Sequence, residues 1–140
     1  MIKDIKMELM TAQAITTSSV SDKTIDLGEN AAGDALDELY LVVSVGAADF
    51  DSSGDASTLT LDLQSGSTST PTTSVVKTSA LAQSVLTKGA VVLAQRLGRG
   101  LGRYIRLSYT CSAAFTAGSL NAFLTTAPDK SWTKSGITGV

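Results

Sequence analysis

Histidine is absent from this 140-residue chain, and cysteine, tryptophan and proline are scarce. Without histidine, the serine–histidine triad and the cysteine–histidine dyad are excluded as catalytic groups. Cys111 is the single cysteine, so no disulfide can form within the chain. We therefore expect a protein that is not an enzyme, that carries no catalytic residue, metal or cofactor, and that acts by binding.

Long apolar segments are also missing. The first ten residues are interrupted by Asp4 and Glu8, so they lack the continuous apolar core of a signal peptide. No apolar run approaches the length that spans a bilayer. We expect a soluble protein that is made in a cytoplasm and has no membrane partner.

Serine and threonine are abundant, with 18 residues of each, whereas charged residues make up only 17% of the chain. β-branched residues such as threonine and valine suit the pleated, half-buried surface of a sheet. A chain of this length fits one domain and buries roughly 68–70% of its unfolded surface, enough to fold without a disulfide. The predicted fold class is all-β.

Alternation of apolar and polar residues predicts the strands. Residues 58–64 place Leu59, Leu61 and Leu63 on one face, and residues 39–45 are apolar on both faces. The polar turn between these two segments predicts a hairpin. Residues 103–111 and 119–126 alternate in the same way and predict a second hairpin. The remaining predicted strands lie at residues 5–9, 14–17, 24–27, 74–78 and 90–96.

About eight short antiparallel strands favour a single jelly-roll-like β-sandwich over residues 1–126. The best helical candidates, residues 31–38 and 79–86, extend over at most about two turns each. Residues 127–140 have no periodicity and are predicted to form an extended C-terminal tail. Trp132 lies in this tail, and we expect its indole to dock on a neighbouring molecule.

All four arginines fall within eleven residues, in a glycine-spaced segment that leads into the strand predicted at 103–111. Residues 1–70 carry 12 acidic residues against 3 lysines, whereas residues 71–140 carry 8 basic residues against one aspartate. We hypothesise that the cluster contacts an acidic protein surface; pairing with the acidic half of the same chain is an equal alternative. The candidate interface residues are Arg96, Arg99, Arg103, Tyr104 and Arg106, together with Trp132 of the tail.

Other readings of these segments are less consistent with the sequence. Gly98, Gly100 and Gly102 precede a strand rather than a helix, which disfavours a phosphate-binding loop. Nucleic acid is disfavoured because the estimated pI is 4.9. The acidic turn at residues 49–55 resembles the start of a calcium loop, but its twelfth position is Thr60 rather than glutamate.

Residues 103–109 (RYIRLSY) and 115–124 (FTAGSLNAFL) resemble the capsid cement, or decoration, proteins of tailed bacteriophages of the Bordetella-phage type. Residues 12–16, 24–28, 39–45 and 58–64 resemble the successive strands of the same family, in the same order. The resemblance covers residues 8–126. It implies a jelly-roll virion protein on the capsid exterior that bridges neighbouring major capsid protein subunits and stabilises the shell, after synthesis in the host bacterial cytoplasm.

The resemblance also implies self-association, with a dimer favoured and a trimer possible. Two alternative functions remain open. The strand containing Tyr104 and Arg106 also resembles those of discoidin-like carbohydrate-binding sandwiches, although the chain has only seven aromatic residues. The second alternative is a phage tail component, which would differ from the expected capsid protein only in the protein that it binds.

Overall fold

The computed structural model describes residues 7–27, 39–97 and 101–125. Within these ranges the chain forms strands and two short 3₁₀ turns, and it contains no α-helix. One predicted helix, residues 31–38, lies outside the described residues, as do Arg99 and Trp132 and the predicted tail. The other helical prediction, at residues 79–86, is wrong, because the segment forms the two-residue strand Leu81–Ala82 and a 3₁₀ turn at Gln83–Val85.

Eight strands of three or more residues form the framework of the described chain: β1 (Glu8–Ala14), β4 (Leu39–Val45), β6 (Thr58–Gly66), β7 (Thr73–Lys77), β9 (Val91–Leu97), β10 (Tyr104–Cys111), β11 (Phe115–Ala117) and β12 (Ser119–Thr125). Four two-residue strands supplement them: β2 (Ser19–Val20), β3 (Ile25–Asp26), β5 (Asp51–Ser52) and β8 (Leu81–Ala82). The predicted strands at 39–45, 58–64, 90–96 and 103–111 are confirmed, and the strand predicted at 119–126 is confirmed as far as Thr125, the last described residue.

The strands form two main antiparallel sheets. The first has the order β1–β12–β4–β9, and the second has the order β2–β10–β6–β7, with β3 also paired to β10 and β8 to β6. β5 and β11 form a separate two-stranded ladder. Side chains from both main sheets belong to one buried hydrophobic cluster. The all-β sandwich predicted from the sequence is therefore confirmed.

Both predicted hairpins are wrong in their pairing. β4 lies in the first sheet and β6 in the second, and the same division separates β12 from β10. Each connection therefore crosses from one sheet to the other, as in Greek-key sandwiches. Alternation shows which face of a strand is buried, but it does not show which strand lies beside it.

The longest ladder of the second sheet joins β10 to β6 without a register shift, from Tyr104 opposite Gly66 to Cys111 opposite Leu59. Leu59, Leu61 and Leu63 have no exposed surface, and neither has Leu107. Burying one such leucine contributes about 1.5–3 kcal/mol to folding. Because the leucines turn inward, the alternate residues of both strands necessarily form the outer face of this sheet.

Candidate protein-binding surface on strand β10

The outer face of the second sheet is polar and centres on β10. Tyr104, Arg106 and Ser108 are half-buried on this face, and Thr110 is exposed. The register places Arg106 opposite Gln64 and Ser108 opposite Asp62. The predicted outward positions of β10 are therefore confirmed. We refer to Tyr104, Arg106, Ser108, Gln64 and Asp62 as the β10 face.

Arg106 is held in place by its cross-strand neighbour. Its Nε donates a hydrogen bond of 3.0 Å to Gln64 Oε1. The Arg106 side chain makes no other hydrogen bond among the described residues. Its two terminal amino groups are therefore available to bind an acceptor of a partner. A guanidinium in this state suits a carboxylate, which it can bind through two parallel hydrogen bonds.

The β10 face continues onto the neighbouring strand β7. Ser74 is paired with Gln64 in the ladder, and its Oγ donates to Asp62 Oδ1. Lys77 lies opposite Asp62 and is exposed. One acidic group, Asp62, and one basic group, Lys77, therefore lie on the face next to Arg106. Charges of both signs on one face favour a protein partner of complementary pattern over a uniformly charged polymer.

Arg103 pairs within the subunit. Its Nε and one terminal nitrogen donate to the two carboxylate oxygens of Asp26 at 2.8 and 3.0 Å. Asp26 belongs to β3, which pairs with Tyr104 of β10. The guanidinium carbon also lies 5.1 Å from the centre of the Tyr104 ring. Two hypotheses were given for the arginine cluster: contact with an acidic protein surface, and pairing with the acidic half of the same chain. Arg103 follows the second.

A close backbone contact positions the start of β10. The Gly102 N–H donates to Ser65 Oγ at 3.2 Å. A Cβ atom at Gly102 would lie 2.7 Å from the carbonyl oxygen of Gly66, closer than non-bonded atoms approach. Glycine at this position thus lets the chain pass directly over the end of β6 before Arg103 turns toward Asp26.

The arginine cluster does not form one patch on a single sheet. Arg103 and Arg106 are associated with the second sheet, whereas Arg96 lies on β9 of the first sheet, opposite Tyr40. Gln64 and Asp26 could not be predicted from the sequence as partners of the arginines. The alternation of residues 58–64 predicts that Gln64 faces outward. No sequence pattern predicts that β10 pairs with both β6 and β3.

The acidic turn at residues 49–55 has a structural role in the described chain. Asp49 Oδ1 accepts a 2.7 Å hydrogen bond from the Lys88 N–H, and Asp51 Oδ1 accepts one of 2.9 Å from the Ser52 N–H. Beside this turn lies an open cleft of about 370 Å³, lined by Asp49, Phe50, Gln83, Ser84 and Thr87. No cluster of three or more metal-ligating side chains occurs in the ranges that the structure describes.

Cys111 ends β10 and is half-buried. Burial raises the pKa of its thiol, so the thiolate is disfavoured and the side chain acts as a small apolar group. None of the helical segments in the described ranges has the length and apolar character needed to cross a membrane.

The chain matches a known protein family. The Bbp16 family model matches residues 9–124. The match begins in β1 and ends in β12, so it spans both main sheets and the whole β10 face. No curated protein matches the chain.

Proposed function

The chain belongs to the Bbp16 family, a Bordetella phage protein family, and we propose that it is a structural virion protein that binds the outside of an icosahedral phage capsid. In this role it bridges neighbouring major capsid protein subunits and stabilises the shell without catalysing a reaction. The resemblance of residues 8–126 to capsid cement proteins supports the same function. The protein would be synthesised in the cytoplasm of the host bacterium and act on the capsid exterior.

The observation that carries the proposal is the oriented guanidinium of Arg106 on a polar sheet face. Because Gln64 fixes the Nε side of the group, little side-chain entropy is lost when the two terminal nitrogens bind a carboxylate. The matching partner group is an aspartate or glutamate on the outer surface of the major capsid protein. One such contact is weak, but a shell presents many copies of it.

The test uses undecorated capsids and purified protein, with occupancy measured by co-sedimentation and by electron microscopy of the shells. Arg106→Glu reverses the charge of the proposed contact and should weaken binding at least tenfold. Lys88→Glu makes the same change in net charge at an exposed position outside the β10 face and should bind as the wild type does. Circular dichroism verifies that both variants are folded.

Gln64→Ala provides a second variant that keeps the charge of Arg106. It should reduce occupancy less than Arg106→Glu, because the guanidinium remains but is no longer held. If Arg106→Glu decorates shells as fully as the wild type does, the β10 face is not the capsid contact. If the wild type itself does not bind shells, the proposed function is wrong.

A carbohydrate-binding function has less support from this surface. Sugar-binding sandwiches present aromatic rings for stacking, and Tyr104 is the aromatic residue of the β10 face. The guanidinium of Arg103 already lies over its ring, at 5.1 Å from the centre. Binding to a glycan array by a protein that fails to decorate shells would favour the carbohydrate reading.

A further inference from the structure

The open cleft beside the acidic turn is a second candidate binding region, separate from the β10 face. It lies where two loops meet, the loop that follows β4 and the loop that follows β8. The Phe50 N–H donates to the Leu86 carbonyl oxygen at 3.0 Å, and Ser52 Oγ donates to Gln83 Oε1, so the two loops are held together. We refer to this region as the loop cleft; its lining residues are Asp49, Phe50, Gln83, Ser84 and Thr87.

The loop cleft and Arg106 lie toward opposite ends of β6. Gln83 of the cleft directly follows Ala82, which pairs with Thr58, the first residue of β6. Arg106 pairs with Gln64, six residues further along the same strand. At about 3.3 Å per residue, this places the two regions roughly 20 Å apart. A protein that bridges two subunits needs two separate contact regions, and this separation allows each region to bind a different subunit.

The carboxylate of Asp49 is oriented by the protein but only half used. Its Oδ1 accepts the 2.7 Å hydrogen bond from the Lys88 backbone N–H, which fixes the position of the group. Its other oxygen accepts no hydrogen bond from the described residues, and the residue is exposed. The Lys88 ammonium makes no ion pair with any residue in the described ranges. One carboxylate oxygen of the loop cleft is therefore available for a donor of a partner.

The available groups of the loop cleft match an ammonium. The hydroxyls of Ser84 and Thr87 make no hydrogen bond within the described part of the chain, so with Asp49 the cleft offers three acceptors. An ammonium has three donors and no acceptor. A guanidinium binds best when both carboxylate oxygens are free, but the Lys88 N–H already occupies one of them. Val85, beside Ser84, is 51% exposed and offers an apolar contact for the methylene stem of a lysine.

The loop cleft suits a sugar less well. Phe50 is its aromatic lining residue and is only 3% exposed. The Phe50 ring packs edge-on against the Phe115 ring, with 5.0 Å between the ring centres. The ring face is therefore engaged within the core and is not presented to a ligand for stacking.

We propose that the loop cleft binds a lysine side chain of a protein partner, with the ammonium on Asp49, Ser84 and Thr87 and the methylene stem against Val85. The choice of partner rests on the proposed function: the lysine belongs to a major capsid protein subunit next to the one that the β10 face contacts. Arg106 then binds a carboxylate of one subunit, and Asp49 binds an ammonium of its neighbour. Because the two contacts have opposite charge, neither region fits the site of the other, and the protein attaches in one orientation.

Cross-linking on decorated shells tests the contact directly. A water-soluble carbodiimide activates a carboxylate, and a contacting amine displaces it to form an amide bond, while the carbodiimide leaves as its urea with one carboxylate oxygen. Arginine does not react in this way. Mass spectrometry of shells decorated with the wild type should identify an amide between Asp49 and a lysine of the major capsid protein. Asp49→Asn has no carboxylate and should give no cross-link at this position.

Binding to undecorated shells gives a second measurement. Asp49→Asn keeps an oxygen for the Lys88 N–H, so the loop should stay folded, but it removes the charge. Its half-saturation concentration in co-sedimentation should rise about twofold to fivefold, as expected for one exposed ion pair. Asp22→Asn removes the same charge at an exposed position outside both regions and should bind as the wild type does. Lys88→Glu leaves Asp49 and its backbone donor in place and should not weaken binding. Circular dichroism verifies folding.

The outcomes separate the lysine contact from the proposed function. If the wild type does not decorate shells, the proposed function is wrong, and the lysine contact with the capsid is refuted with it. If the wild type decorates shells but Asp49 forms no cross-link to a capsid lysine, only the lysine contact is refuted. The same conclusion follows if Asp49→Asn binds as tightly as the wild type, or if Asp22→Asn weakens binding equally, because the effect would then reflect net charge.

Discussion

The ion pair between Arg103 and Asp26 allows a quantitative prediction. The prediction distinguishes pairing of Arg103 within the subunit from contact of Arg103 with a partner protein. Asp26→Asn and Arg103→Gln remove one charge each and keep the approximate shape of the side chain. We expect each to lower the free energy of unfolding by about 0.5–1 kcal/mol. Measured together with the double variant, they give a coupling energy that reports the pair alone.

The magnitude follows from geometry and exposure. Two parallel hydrogen bonds of 2.8 and 3.0 Å place the pair at the favourable end of surface ion pairs. Against this, the two side chains are 39% and 44% exposed, so water screens the attraction. The coupling energy should therefore be about 0.5–1 kcal/mol, which for a domain of this size corresponds to roughly 2–4 °C in Tm.

The assay is urea unfolding followed by circular dichroism, performed for the four proteins at low and at high salt. The coupling energy should fall as the salt concentration rises, because the pair is exposed. A coupling energy below about 0.2 kcal/mol would refute a stabilising pair between Arg103 and Asp26 in solution. A coupling energy above about 2 kcal/mol that does not change with salt would refute the inference that water screens the exposed pair.

Three further predictions concern the framework around the β10 face. Gly102→Ala should destabilise the protein by about 1–3 kcal/mol in urea unfolding, because its Cβ would press on the Gly66 backbone. Leu107→Ala should cost about 2–5 kcal/mol by leaving a cavity, whereas Val75→Ala on the exposed edge should change stability by less than about 0.5 kcal/mol. Cys111 should react with iodoacetamide more slowly than a free cysteine at pH 8, and faster as the pH rises further, because its thiol pKa is raised.

The strands themselves could be predicted, because apolar and polar residues alternate along them and the apolar ones are buried. Leu59, Leu61 and Leu63 occupy every second position, and all three are fully buried. Residues 79–86 show the limit of the same approach. Their composition permits a helix, but the segment ends in a 3₁₀ turn at Gln83–Val85, and the fully buried Leu86 directly follows that turn. Tertiary packing overrides weak local propensity in such a short segment.

Strand pairing could not be predicted, because it depends on contacts between distant residues. Arg103 and Asp26 are 77 positions apart, and Arg106 and Gln64 are 42 apart. The arginines are close along the chain, which predicts a single cluster. The fold instead distributes Arg96 and Arg106 between the two sheets. The sequence could identify the outward direction of Arg106 but not the glutamine that holds it.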